Sequence, residues 1–463
     1  MSVFSLSRSE ELAALRVRLR GQVFTPADAG YDRARTGFDP ARAPRPAVVV
    51  VPGDSAGVVA AVRFAARAGL TVAVQATGHS PGGAAEGAVM VSTRRLTDVS
   101  IDPEARTATV GAGATWAPVI ALAREHGLAA PGASGPTHGA VGHVLGGGIG
   151  WLGRSHGLGS DSVRSFDLVT PDGTALRTSA TELPEVFWAL KGGGAGSLGV
   201  VTGMRIDLRP MVQVFAGNLY YPVEHARELV LRWKAWVAEA GEELTSAVVV
   251  MHFPGQDTLP EAFSGRSFVA LRGCWSGAPA RGRKLIDSWR DWREPLLDTF
   301  GKLPLSSVAQ IGDDPVDLTP GVGATEWFDE LPEEAVDILL AAMAAGPGSA
   351  PPPAVCEIRH AGGAIRRSAR RTANDAGLSG EFLLRLGGAA ASPEDRLRLT
   401  AQLRGIRGSL APYVNGAAFV NFLEGEEKEA RAVTGYSRRN LRRLRGVKST
   451  LDPDNRFRHG IGV

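Results

Sequence analysis

The stretch "PAVVVVPGDSAGVVAAVRFAARAGLTVAVQATGHSPGG", residues 46–83, predicts how the first part of the chain folds. It begins with a β-branched run, continues with an amphipathic segment that Asp54 or Ser55 can cap, and ends in a second β-branched run. This order predicts a βαβ unit. His79 follows the second strand in a loop of small residues, where an imidazole has little to pack against. His79 is therefore a candidate functional residue, and a hydrogen-bonded loop histidine is the alternative.

The composition is that of a globular protein long enough for two domains. The chain has 463 residues, of which 44% are hydrophobic and 21% are charged, and a single hydrophobic core seldom grows to this length. The net charge of +3 is small and argues against a nucleic-acid partner. No run approaches the roughly 20 apolar residues of a spanning helix, and the amino terminus lacks a secretory pattern. We expect a cytoplasmic protein without a membrane partner.

Thiol and metal chemistry are not expected. Cys274 and Cys356 are the two cysteines, and neither belongs to a CxxC pair or a cluster with the spacing of metal ligands. We therefore predict no metal site and no disulfide framework.

The pattern of strands and helices changes near Pro210. The middle of the chain, residues 212–410, mixes strand-like runs such as "SAVVVMHF" with helical runs such as "EHARELVLRWKAWVAEA". This mixture predicts an α+β domain with an antiparallel sheet flanked by helices.

The glycine-rich segments indicate how a cofactor could bind. "GIGWLG", residues 148–153, satisfies the GxGxxG string, but the preceding "SGPTHGAVGHVLGG" is too rich in glycine to form the strand that a dinucleotide-binding turn requires. "KGGGAGS", residues 191–197, lacks the ending of a P-loop. The alternative is that the loops around 76–83 and 132–148 together surround a large anionic cofactor with their backbone amides.

Several long motifs in order along the chain resemble those of one family. They are "QATGHSPGG" (75–83), "SGPTHGAVGHVLGGGIGWLGRSHGLGSDSV" (134–163), "FDLVTPDG" (166–173), "VFWALKGGGAGSLGVVT" (186–202), "FVNF" (419–422) and "KSTLDPDNRF" (448–457). Together they resemble the berberine-bridge-enzyme-like FAD-linked oxidases of the vanillyl-alcohol-oxidase superfamily, which have a PCMH-type FAD-binding fold. The resemblance implies an FAD-binding domain made of residues 1–211 and 411–463, and a substrate-binding domain of residues 212–410.

The resemblance also implies a set of cofactor residues. In this family the matching histidine is joined through its ring to the 8α-methyl carbon of the flavin, so His79 is expected to carry FAD covalently. The other implied contacts are Thr77, Gly78, Ser80, Gly82, Gly83, Gly135, Thr137, His138, Gly142, His143, Gly146, Gly147, Gly148, Gly199, Val200 and Asn455. For His143 a role as a structural anchor of the loop is the alternative. Many relatives add a cysteinyl link, but the matching position is Gly135, so we predict attachment through His79 only.

The residue that takes up a proton is not the family's usual one. Relatives often use the tyrosine of a "YxNY" stretch, which here begins with Phe419. Alternation along the strand "VCEIRH" places Glu357 and Arg359 on one face, where a partly desolvated carboxylate could act as a general base. Glu357 is our first candidate, with Arg359 stabilising an anion or carbonyl, and a structural pair between these two residues is the alternative. His252 and His138 are further candidates.

The expected reaction is a two-electron oxidation of a small molecule with O2 as the acceptor, which the resemblance implies. We expect Trp151, Phe419 and Asn421 to line the substrate cavity, with core packing as the alternative for Trp151. A monooxygenase acting on a polyketide, and a flavin-binding protein with a degenerate site, are the alternative functions. By analogy alone, the composition rich in alanine, arginine and glycine points to bacterial secondary metabolism, such as antibiotic biosynthesis.

Overall fold

The fold is described from a computed structural model. It covers residues 3–19, 22–79, 85–132, 135–193, 196–211, 213–253, 264–312, 320–344 and 351–460. The helices are α1 (Val3–Arg18), α2 (Tyr31–Arg35), α3 (Ser55–Arg67), α4 (Trp116–Glu125), α5 (Ala140–Leu145), α6 (Gly153–His156), α7 (Pro184–Leu190), α8 (Ala226–Glu239), α9 (Pro279–Arg290), α10 (Ala309–Gly312), α11 (Glu333–Met343), α12 (Gly363–Ala369), α13 (Pro393–Leu410), α14 (Gly425–Arg431) and α15 (Arg438–Leu451). Within the described part of the chain, none of these helices has the length and apolar character needed to cross a bilayer.

In the described part of the chain, the strands form a four-stranded mixed sheet, a five-stranded antiparallel sheet, a two-stranded pair and one large antiparallel sheet. They are β1 (Val23–Phe24), β2 (Val48–Val50), β3 (Val72–Gln75), β4 (Val89–Ser92), β5 (Val99–Asp102), β6 (Thr107–Gly111), β7 (Leu128–Ala129), β8 (Val163–Val169), β9 (Ala175–Ser179), β10 (Val200–Asp207), β11 (Arg209–Pro210), β12 (Gln213–Pro222), β13 (Leu244–His252), β14 (Ser267–Trp275), β15 (Leu297–Asp298), β16 (Gly301–Pro304), β17 (Gly321–Phe328), β18 (Val355–His360) and β19 (Phe382–Ala389).

The βαβ unit predicted from the opening stretch is present in the first sheet. Its strand order is β1-β2-β4-β3, and β2 and β3 both run parallel to β4. Helix α3 connects β2 to β3, and the Asp54 carboxylate caps it by accepting a hydrogen bond from the Gly57 amide at 2.7 Å. The loop with His79 therefore starts directly where β3 ends.

The second sheet has the order β5-β6-β10-β8-β9 and is antiparallel throughout. One hydrophobic core joins it to the first sheet through residues such as Val50, Phe64, Val110 and Phe166. The carboxy-terminal segment contributes to this same core; its members there are Ala418, Val420, Leu423, Ala432, Tyr436, Leu444 and Phe457. The end of the chain therefore packs with its beginning, and the residues between them form a separate layer.

The large sheet has the order β15-β12-β14-β13-β18-β19-β17, and β16 also pairs with β12. All of its strand pairs are antiparallel. Helices α8, α9, α11 and α13 cover one face through a core that contains Trp233 and Trp289. The other face packs on the segment after the glycine turn, since Ile149 and Trp151 belong to apolar clusters with residues of this sheet. The predicted α+β fold with an antiparallel sheet flanked by helices is confirmed.

Candidate active site

The imidazole of His79 lies between two aromatic rings. The Phe38 ring stacks on it with centroids 3.9 Å apart and planes 20° apart, and the His138 ring lies on it at 4.4 Å and 33°. The Thr77 hydroxyl is 3.1 Å from Nδ1, and the Thr137 hydroxyl is 3.4 Å from Nε2. Four residues predicted from the two glycine-rich loops therefore meet at one point.

Phe38 reaches His79 because two glycines let separate backbone segments touch. A Cβ atom on Gly78 would lie 2.6 Å from Cα of Gly37, and a Cβ atom on Gly37 would lie 2.8 Å from Cα of Gly78. Gly78 also has a φ of 73°, which side chains disfavour. Phe38 was not predicted, since it lies in a segment without a recognisable motif. The predicted contacts Ser80, Gly82 and Gly83 lie outside the described residues.

His143 is held inside the protein on the loop that follows. The Trp116 indole Nε1 lies 3.3 Å from Nδ1, and the Ile149 carbonyl lies 3.3 Å from Nε2. An indole can only donate, so Nδ1 accepts and Nε2 carries the hydrogen. Burial lowers the pKa of His143 to about 3, and His138 acts in the same direction. These contacts support the interpretation of His143 as a neutral anchor of the loop.

Asn421 supports the same loop from the carboxy-terminal segment. Its Nδ2 donates to the His143 carbonyl at 3.1 Å, and its Oδ1 accepts from the Gly148 amide at 3.0 Å. A Cβ atom on Gly146 would lie 2.3 Å from Nδ2 of this amide. We expected Asn421 to line the substrate cavity, whereas its side chain fastens both ends of residues 143–148.

Phe419 also has a packing role where we expected a cavity contact. Its side chain is fully buried in a cluster with Ile149 and Trp327, and a Cβ atom on Gly147 would meet its ring at 3.4 Å. The residue that comes near the polar face of the large sheet is instead Phe422, whose ring lies 6.0 Å from the Arg385 guanidinium carbon. Sequence analysis missed this contact because Arg385 stands in no motif.

The remaining predicted cofactor residues fall into two groups. In the second loop, the Gly135 carbonyl accepts a hydrogen bond from His138 Nδ1 at 3.0 Å, and Gly142 is exposed, with no atom within 4 Å of the place a Cβ would take. Elsewhere, local packing accounts for the residue types. A Cβ on Gly199 would lie 2.4 Å from the Val169 carbonyl oxygen, Val200 is buried in the core, and Asn455 forms an exposed turn with a φ of 48°.

A buried carboxylate lies on the face of the large sheet opposite its helices. Glu357 accepts from Arg359, with Oε1 2.8 Å from Nε and 2.6 Å from Nη2, and its Oε2 is 3.4 Å from Arg272 Nη1. The three side chains are 6–7% exposed. The sequence predicted that Glu357 and Arg359 share a face, but it did not identify Arg272, which the antiparallel register brings from β14. Two guanidinium groups therefore pair with one carboxylate that is largely withdrawn from water.

Trp151 covers this ion pair from the glycine-turn side. The Arg359 guanidinium carbon lies 4.9 Å from the centroid of the indole ring, within the range of a cation–π contact. Trp151 is 2% exposed, so core packing describes its position. Its place in the lining of the substrate cavity stays a prediction. Trp151 also borders a cleft of about 480 Å³ lined mainly by apolar residues, including Leu128, Pro131 and Leu305.

His252 does not join this site. Its register on β13 places it opposite Ser267, on the face that the helices cover. Its Nε2 lies 2.6 Å from the Met343 carbonyl of α11. The structure therefore separates His252 from Glu357, whereas sequence alternation alone could not compare faces between different strands.

The residues around His79 fit the FAD that the family resemblance implies. The plane of the imidazole is fixed, two hydroxyl groups flank it, and the backbone at Gly142 is open to the approach of a flat or anionic group. The GxGxxG string does not form a dinucleotide turn, because the short helix α5 and glycines precede it instead of a strand. Neither cysteine is near enough in sequence to stand in these loops, and both are buried in strands of the large sheet.

Comparisons with known proteins identify the same parts of the chain. The family model described as "FAD binding domain" matches residues 46–179, and the model "Berberine and berberine like" matches residues 418–463. The chain is 29% identical to (R)-6-hydroxynicotine oxidase of Paenarthrobacter nicotinovorans over 254 residues, which is 54% of this chain and 53% of that protein. It therefore spans about half the length of that relative.

Two further comparisons cover nearly the whole chain. YgaK of Bacillus subtilis (strain 168), described as an uncharacterized FAD-linked oxidoreductase, is 25% identical over 96% of both proteins. The crystal structure of 6-hydroxy-D-nicotine oxidase from Arthrobacter nicotinovorans superposes with a TM-score of 0.84 over 96% of this chain and 98% of that one, at 22% identity. The two family matches and the common fold therefore make this chain similar to the berberine-bridge-enzyme-like FAD-linked oxidases in its FAD-binding part and in its carboxy-terminal part.

Proposed function

We propose that this protein is an FAD-dependent oxidase in which FAD is attached covalently to His79 and to no cysteine. The proposed reaction is the two-electron oxidation of a small organic molecule, with O2 as the electron acceptor. The observation that carries this proposal is the imidazole of His79, which contacts the rings of Phe38 and His138. A buried carboxylate, Glu357, lies on the face of the large sheet opposite its helices. Gly135 at the position of the second link supports attachment through a single residue.

The residues that would hold FAD come from both loops. Four of them lie next to His79, namely Thr77, Gly78, Thr137 and His138, and Gly142 faces open space. Hydrogen bonds with Asn421 and Trp116 hold the loop up to Gly148 in place. When bound, FAD supplies an acceptor for a hydride from a substrate carbon. The protein supplies the two loops that would bind FAD and orient it.

Glu357 is the proposed proton acceptor for a hydroxyl or amine of the substrate. Arg272 and Arg359 fix the direction of the carboxylate, and the Trp151 ring contacts Arg359. Among the described residues, Nη1 of Arg359 and Nε of Arg272 have no hydrogen-bond partner, which supports a role in stabilising an oxygen of the substrate. His138 is the second candidate, because it already lies against His79.

Acid denaturation of the purified protein tests the attachment. We expect the flavin to precipitate with the chain, and the variant His79→Ala to release it. A yellow supernatant from the wild type would contradict the covalent link. The peptide that contains His79 should carry the added mass of FAD, which separates attachment from tight binding.

Anaerobic mixing with candidate substrates tests the reaction. A substrate should bleach the flavin, and air should restore the colour with release of hydrogen peroxide. For such a substrate, Glu357→Gln should slow bleaching by about 10²- to 10⁴-fold, whereas His252→Gln, on the opposite face, should not. Labelled oxygen in the product would instead indicate a monooxygenase, and a flavin that no substrate bleaches would indicate a binding protein.

A further inference from the structure

We infer that Phe38 and His138 form a clamp that positions the imidazole of His79 for attachment to the flavin, with Thr77 setting its rotation. The inference rests on the proposed covalent link and names residues that act through His79. Neither Phe38 nor His138 needs to touch the reacting atoms for this role.

The stacking contacts fix the plane of the imidazole. Two rings contact it: Phe38 stacks on it with centroids 3.9 Å apart, and the tilted His138 ring lies 4.4 Å from it. His79 is only partly buried, and a partly exposed side chain without such contacts would exchange between rotamers. The clamp therefore restricts the imidazole from two sequence-distant segments, one around Phe38 and one around His138.

Each part of the clamp is itself held in place. Phe38 follows Gly37, whose contact with Gly78 leaves no room for a Cβ atom on either residue. His138 is fixed by the hydrogen bond from its Nδ1 to the Gly135 carbonyl at 3.0 Å. The two rings therefore come from separate segments of the chain, and each segment is held in place by its own backbone contact.

Thr77 determines how the ring is turned within its plane. Its hydroxyl lies 3.1 Å from Nδ1, whereas the Thr137 hydroxyl lies 3.4 Å from Nε2, near the outer limit of a hydrogen bond. The contact with Thr77 is the shorter one and comes from the same loop. Plane and rotation together decide where the reacting nitrogen points.

Correct placement matters because attachment is a covalent step. A C–H bond of the 8α-methyl group is replaced by a C–N bond to the imidazole. The hydrogen from that carbon and the hydrogen from the ring nitrogen leave with two electrons to O2, which becomes hydrogen peroxide. The protein has to hold the nitrogen close to the carbon, and a displacement of about 1 Å can slow such a step by about 10²-fold.

The test measures the fraction of flavin that precipitates with the chain in acid, together with total bound flavin and the melting temperature of the native protein. In Phe38→Ala and in His138→Ala, the attached share of the flavin that is bound should fall to about a tenth or less of the wild-type value. His138→Phe and Phe38→Tyr, which retain a ring, should restore it. Thr77→Val should also lower the attached fraction.

The matched control is Phe187→Ala, which removes an aromatic ring that packs against Phe166 in the same hydrophobic core. It should lower the melting temperature without lowering the attached fraction. If Phe38→Ala and His138→Ala attach flavin as fully as the wild type, the clamp is wrong while the covalent link stands. If a ring-deleting variant does not fold, Thr77→Val decides: full attachment in Thr77→Val would overturn the inference. A wild type that releases its flavin in acid would refute the proposed link itself.

Discussion

The neutral imidazole of His143 should make the stability of the protein depend on pH. In the folded protein burial lowers the pKa of His143 to about 3, and both ring nitrogens are engaged by Trp116 and Ile149. In the unfolded chain the pKa returns to about 6.5. Below pH 6.5 the unfolded chain therefore binds a proton that the folded chain does not bind. The free energy of unfolding must fall as the pH falls through 6.5, and this loss continues until the pH approaches 3.

The size of the effect follows from the two pKa values. Between pH 8 and pH 5, protonation of His143 in the unfolded chain lowers the free energy of unfolding by about 2 kcal/mol, and between pH 8 and pH 6 by about 0.8 kcal/mol. Other groups titrate in the same range, so the contribution of His143 is obtained as a difference between variants.

Urea denaturation followed by tryptophan fluorescence at pH 8, 6 and 5 gives this difference. Glutamine at position 143 offers one acceptor and one donor but does not titrate. Between pH 8 and pH 5, the free energy of unfolding of the wild type should fall by about 2 kcal/mol more than that of His143→Gln. His126→Gln, at an exposed helix end, should follow the wild type. If the wild type and His143→Gln change in parallel, His143 is protonated in the folded protein, and the assignment of its hydrogen bonds is wrong.

Two further predictions concern the carboxy-terminal segment. Asn421→Ala removes both hydrogen bonds to residues 143–148 and should lower the free energy of unfolding by about 1–3 kcal/mol. Proteolysis within that loop should also become faster, and an unchanged rate of proteolysis would contradict the role of Asn421. Lys448→Met leaves Asp452, which is 2% exposed, without its partner at 2.6 Å and should cost about 3–5 kcal/mol, whereas Arg443→Met at the exposed pair with Glu185 should cost less than about 1 kcal/mol.

The parts of the fold that sequence analysis predicted are those with a strong local pattern. The βαβ unit around residues 46–75 was predicted because the period of the apolar residues changes from strand to helix and back, and Asp54 marks the start of the helix. The faces of β18 were predicted because alternation is a property of the strand itself. Both predictions need only neighbouring residues.

The contacts that were missed depend on which distant segments meet. Arg272 reaches Glu357 because β13 lies between β14 and β18, and this order has no signature in the sequence. Phe38 reaches His79 through the contact between Gly37 and Gly78, and either glycine alone would indicate only a turn. The hydrogen bonds of Asn421 and the packing of Phe419 were not predicted for the same reason, since tertiary packing sets the side on which the turn at residues 420–422 meets the glycine loop. A place for both residues in the substrate cavity stays a prediction.

Two glycine-rich segments are held by residues from the far end of the chain. Asn421 bonds Gly148, and Lys448 donates to the Ser197 carbonyl at 2.7 Å, although hundreds of residues separate the partners in each pair. The large sheet lies between them in the sequence, so each of these contacts closes a long loop and costs more chain entropy than a local contact. Both loops have contacts with the tail nearby, because the Val72 amide at the start of β3 donates to the Arg456 carbonyl and Asn421 bonds the loop around His143. If attachment needs the second loop in the place where Asn421 holds it, covalent flavin on His79 should be found only on chains whose tail has docked.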